Sequence, residues 1–92
     1  MIYQVKGRLI SKDKDFVVLE VSGIGLKISS TTNTIRSIHT DGEVQLYTYL
    51  HVREDALDLY GFYSLMEKEV FLLLIGISGI GPKLANTILS GI

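Results

Sequence analysis

Apolar and polar side chains alternate in short runs through residues 1–63, and from Ser64 onward the alternation stops. A period of two marks strands with one buried face. Ile2 to Leu9 reads as the first. Residues 16–21, FVVLEV, are β-branched and aromatic, with Val17, Leu19 and Val21 sharing a face. Leu26 and Ile28 resume the pattern after Gly23-Ile24-Gly25. Residues 43–53 set Val44, Leu46, Thr48, Leu50 and Val52 against Gln45, Tyr47, Tyr49, His51 and Arg53, a long half-buried strand. Residues 56–63, ALDLYGFY, supply the last strand, with Gly61 expected to mark a bulge or bend. Between the third and fourth strands, TTNTIRSI offers a threonine N-cap and one or two helical turns. Five strands with a small helix between the third and fourth predict an OB-fold β-barrel domain over residues 1–63. An SH3-like barrel is the nearest alternative, and the inserted helix favours the OB order.

From Ser64 the pattern is helical. Ser64 and Glu67 fit a capping box, opening a helix that runs to about Ile75. Pro82 suits the first position of a second helix, which extends to about Ser90 with Gly91 as its stop. Residues 64–92 therefore predict a helical hairpin. The stretch Val70–Ile75, VFLLLI, is apolar all the way round, and a small barrel plus one short helix cannot cover it. This predicts further chain, a partner subunit, or both.

Composition narrows the class. Ninety-two residues make one small domain or one with a piece of a second, and the 47% apolar share is that of a globular protein. With no cysteine, disulfides and thiolate metal sites are excluded. A net charge of −1 argues against a broadly basic nucleic-acid surface, but not against a small phosphate contact made by backbone amides. MIYQVKGRLI lacks the core and cleavage site of a signal peptide, and the most apolar run, residues 70–80, falls short of the ~20 needed to span a bilayer. The expectation is a soluble, cytoplasmic protein with no membrane contact.

Two heptapeptides, VSGIGLK at 21–27 and ISGIGPK at 77–83, look like copies. The first runs straight back into alternation and reads as a hairpin turn. In the second, Pro82 places Gly79 and Gly81 at a helix N-terminus, where unpaired amides and the helix dipole favour an anion, with Lys83 adding a charge. Phosphate binding and a purely structural interhelical turn both fit this spacing. A P-loop does not: Pro82 stands where lysine is required, and Leu84 follows Lys83 in place of serine or threonine. A dinucleotide fingerprint fails because residue 84 is leucine.

The order glycine pair, proline, lysine, apolar helix resembles the helix-hairpin-helix motif, which binds DNA phosphates without sequence preference. With MIYQVKGRLI, VVLEVSGIGLKI, HVREDALDLYGF and FLLLIGISGIGPKLANTILSGI in this order, essentially the whole chain resembles the RuvA family, whose members bind Holliday junctions for branch migration. The resemblance implies an OB domain followed by a helical domain with two helix-hairpin-helix motifs, of which residues 64–92 would hold the first. It implies a homotetramer or octamer on four-way junction DNA, no catalytic residue, no cofactor and no metal. It also implies a hexameric ATPase partner, RuvB, engaged through a C-terminal domain that these residues do not include. Gly79, Gly81 and Lys83 would then be the phosphate contacts.

Arg53-Glu54-Asp55-Ala56 falls between the last two strands. Read alone it is a solvated turn. The resemblance makes Glu54 and Asp55 an acidic pin, repelling phosphates at the centre of the junction. Two other readings stand beside junction binding. One is a fragment that only self-associates, with DNA binding lost. The other is a metal-dependent nuclease using Glu54, Asp55 and Asp58, for which no neighbouring motif completes a site.

Overall fold

The computed structural model describes residues 1–39 and 42–91. Its elements run β1 (Gln4–Lys12), β2 (Phe16–Val21), β3 (Ile24–Ser30), α1 (Thr32–Ser37), β4 (Glu43–Val52), β5 (Leu57–Phe62), α2 (Leu65–Ile75) and α3 (Pro82–Ser90). The strands close into a barrel in the order β1-β2-β3-β5-β4, with β4 returning to β1. Among the described residues only the β3–β5 pairing is parallel. With α1 between the third and fourth strands, this is the OB order.

The inward row of each strand makes the core. Val17, Leu19, Ile28, Ile38, Val44 and Leu46 are buried together, with Val5, Leu9, Leu26, Ile35 and Leu59 packed around them. Thr48 is the polar member of the β4 row and is satisfied there. Its hydroxyl donates to the Ile2 carbonyl at 2.8 Å and its amide to the Tyr3 carbonyl at 2.7 Å, tying the N-terminal segment to the wall. Val21 is only half-buried, and the β4 row leaves the core beyond Thr48: Leu50 is half-buried and Val52 exposed. The distal half of the β4–β5 hairpin thus projects past the barrel.

Two expectations are corrected. The first strand begins at Gln4, not Ile2, and runs on to Lys12. It serves two neighbours in turn, β4 through residues 4–8 and β2 through residues 8–12, and a bulge between Leu9 and Ser11 accommodates the change of direction. Gly61 is neither bulge nor bend. It pairs regularly with Thr48, and a Cβ there would lie 2.5 Å from Ile28 Cγ2 and 3.1 Å from Leu46 Cδ1. Glycine is needed because the barrel interior closes on that backbone.

The helices dock through a second cluster of Tyr60, Phe62, Phe71, Ala85 and Leu89. Phe71 is its centre, with ring centroids of Phe62, Tyr49 and Tyr60 at 4.8, 5.5 and 5.6 Å. Such tilted aromatic contacts add about 0.5–1.5 kcal/mol each to area burial. Ser64 caps α2 by accepting the Glu67 amide at 3.1 Å. The return half of the expected capping box is absent, because the Glu67 carboxylate turns to the hydroxyls of Thr31 and Thr34 instead. Of the apolar stretch 70–75, Phe71 is buried and Leu74 and Ile75 half-buried, whereas Val70, Leu72 and Leu73 remain exposed.

Candidate nucleic-acid interface

The two Gly-Ile-Gly copies take different backbone paths. In the first, Ser22 (φ 51°) and Gly23 (φ 85°) form a two-residue turn between the paired residues Val21 and Ile24. Positive φ at both central positions fits the twist of a hairpin. In the second, the Gly76 amide donates to the Leu73 carbonyl and the Ile77 amide to the Leu74 carbonyl, closing α2, and the Ile80 amide donates to the Ile77 carbonyl in the next turn. Gly79 sits at φ +89°, where a side chain would be strained. Gly81 is the N-cap of α3 with no side-chain cap, and Pro82 follows in the first turn. A Cβ at either Gly79 or Gly81 would meet nothing within 4 Å, so this backbone is open on its outer side. Helix starts leave their first amides without intrahelical partners, and here no side chain caps them.

Helix α3 is fixed from its other end. The Ser90 hydroxyl accepts the Thr32 amide at 3.1 Å, and the Asn33 side-chain amide donates to the Leu89 carbonyl at 3.2 Å. Buried Ala85 and Leu89 hold its inner face. The helix start is thereby set across from the barrel wall, with a groove of about 960 Å³ between them. Lys27, His51, Arg53 and Asp58 line the groove from the barrel, Gly81 and Lys83 from the helix. Gly79 belongs to the preceding turn and is not part of this lining.

The acidic turn stands at the end of the same wall. Register is regular up to the Val52–Leu57 pair, after which the Arg53 amide donates to the Ala56 carbonyl at 2.8 Å. Glu54 and Asp55 are both exposed at the tip. Arg53 pairs with Asp58 at 3.1 Å just below them. Tyr49 and His51 share a strand face as expected, their rings stacked at 6.3 Å. Burial, reinforced by the charge of Asp58, raises the pKa of the Tyr60 hydroxyl above its usual value. Among the described residues no three His, Cys, Asp or Glu side chains gather to hold a metal.

The structure brings Lys83 and Gly81 into one groove with the base of the Glu54–Asp55 turn. It adds residues that sequence reading passed over. Lys27 ends the first heptapeptide, which reads as a hairpin turn, and only the barrel closure brings it into the groove that Lys83 lines. The outward period-two face of β3 and the lysine shared by the two heptapeptides are the signals the sequence holds.

Comparison with known proteins gives a consistent answer. The family model described as RuvA N terminal domain matches residues 1–61. The chain is 47% identical over 93 residues to the Holliday junction branch migration complex subunit RuvA of Acetivibrio thermocellus, covering 100% of this chain and 46% of that protein. It is 48% identical over 92 residues to the protein of that name from Chloroherpeton thalassium, covering 99% and 46%. With the one from Chlorobium luteolum it shares 52% over 88 residues, covering 95% and 44%. The chain spans about half the length of the curated relatives it matches. The barrel order, the helical hairpin and these identities agree, and the chain belongs to the RuvA family, with residues 1–61 matching that family's N-terminal domain.

Proposed function

We propose that this chain is the junction-holding N-terminal part of a noncatalytic DNA-binding subunit. It would act in the cytoplasm on Holliday junctions during branch migration in recombination and repair. The observation that carries this reading is the uncapped, uncovered start of α3, where Gly81 and Pro82 open a helix beside Lys83. Gly79, Gly81 and Lys83 contact backbone phosphates through amides and one ammonium, which positions DNA without reading bases. Residues 1–63 form the OB domain, and residues 64–92 the first helix-hairpin-helix of a helical domain. Glu54 and Asp55 act as a pin: carboxylates on an exposed tip repel a continuous duplex and admit the open centre of a four-way junction. Four copies around a junction multiply a few contacts into useful affinity, so a tetramer, or an octamer of two such rings, fits a chain of net charge −1. The RuvB ATPase would engage the portion that the relatives have beyond this length.

The test uses the full-length protein on four-way junctions and linear duplex. Replacing Glu54 and Asp55 by Gln and Asn is expected to raise duplex binding toward junction binding. Unchanged discrimination would remove the pin. Lys83→Ala is expected to weaken both DNAs alike and to flatten the salt dependence; full retention of both would remove the phosphate contact. A protein that forms oligomers but binds neither DNA at any salt concentration would favour self-association as its sole activity.

A further inference from the structure

The groove beside α3 has two walls, and Gly81 and Lys83 stand on only one of them. Its charges can be counted by partner. Arg53 is held by Asp58 at 3.1 Å, so that pair cancels within the protein. What remains on the lining is Asp15 against Lys27 and Lys83. Lys27 forms no ion pair among the described residues; its ammonium lies over the Phe16 ring, 4.6 Å from the centroid. With Lys27 present the groove is net positive on a chain that is net negative. Without it Lys83 and Asp15 balance.

We infer that Lys27, on strand β3 of the barrel, is a second DNA-backbone contact, placed across the groove from Lys83. The OB domain then carries part of the affinity as well as the acidic tip. This rests on the phosphate-binding reading of α3. The groove is open and of about 960 Å³, with Lys27 on its barrel side and Lys83 on its helix side. The Phe16 ring limits the ammonium's search, so less conformational freedom is lost when a phosphate arrives. Asp15 is the acid of the lining left without a cation partner, and a phosphate beside it is repelled.

The experiment measures junction binding by the full-length protein from low to moderate salt, for wild type, Lys27→Met, Lys27→Arg and Lys83→Ala. Methionine keeps the stem and its contact with Phe16 but removes the charge. Lys27→Met is expected to flatten the log–log salt slope by about one unit per contacting subunit, as one lost phosphate contact does. Lys27→Arg should keep the wild-type slope. If Lys83→Ala flattens the slope and Lys27→Met does not, the barrel wall makes no contact and this inference falls while the α3 reading stands. If Lys27→Met and Lys27→Arg both weaken binding with the slope unchanged, Lys27 has only a packing role against Phe16 and the inference also falls. If neither Lys83→Ala nor Lys27→Met changes binding, the α3 reading falls with it.

Discussion

Lys68 on α2 and Tyr60 on β5 respond oppositely to alkali. The Lys68 side chain is 7% exposed, with its ammonium 3.9 Å from the Tyr3 ring centroid. Burial lowers its pKa from the usual 10.5. A depressed folded pKa gives stability that is complete above 10.5 and is lost as pH falls through the folded value. Tyr60 is the reverse. Burial, then Asp58, raises its pKa above 10.0, so its contribution is complete below 10.0 and is lost as pH rises through the folded value. Urea midpoints measured from about pH 8 to about pH 11 should separate them. Lys68→Met removes the rising component and steepens the alkaline loss, whereas Tyr60→Phe makes that loss shallower. Equal profiles for both variants and wild type would contradict both assignments. Neither effect is visible in the sequence, where Lys68 stands between two glutamates in MEKEV.

At the scale of elements, α1 and α2 are joined by one carboxylate. The Thr34 amide donates to the Thr31 hydroxyl, which donates to Glu67 at 2.8 Å. The Tyr63 amide donates to the Thr34 hydroxyl, and that hydroxyl donates to the other Glu67 oxygen. Each threonine thus accepts from backbone and donates to the acid, so the start of α1 and the entry to α2 share an anchor. Glu67→Ala leaves two buried hydroxyls without their acceptor and is expected to cost about 2 kcal/mol in urea unfolding, with Glu67→Gln costing less. No loss in either variant would mean that the anchor is dispensable. This element scale also shows where sequence reading succeeds and stops. Alternation around Val17, Val44 and Leu46 located the buried rows because period two is a property of the strand itself. Ser64, Pro82 and Gly91 marked helix ends because capping is local. The limits of β1, the reason for Gly61 and the true partner of Glu67 all depend on residues far along the chain. Lys27 falls in the same class, and Glu54 and Asp55 acquire a role only through family resemblance, since acids in a turn are ordinary.

Across the whole molecule, α2 has two apolar faces. Phe71, with half-buried Leu74 and Ile75, meets the barrel, while Met66, Val70 and Leu73 form an outward stripe at spacings of four and three. Met66 and Leu73 are 74% and 73% exposed. The sequence signalled this as a helix that a small barrel cannot cover, and the fold accounts for one side of it only. If the subunits assemble as proposed, the stripe is a contact surface between them. The double substitution Met66→Glu and Leu73→Glu in the full-length protein is then expected to lower its mass in solution with helix content retained. An unchanged mass would place the subunit contact elsewhere. Six successive residue pairs of the β4–β5 hairpin, from Tyr47–Phe62 to Val52–Leu57, run without a bulge to the acidic tip. At about 3.4 Å per residue the hairpin is a ruler, and its smallest usable graduation is two pairs, because a change of one would turn Arg53 and His51 to the opposite face. The height of Glu54 and Asp55 above the barrel can therefore change only in steps of about 7 Å, so the elevation of the two acids is set in discrete increments.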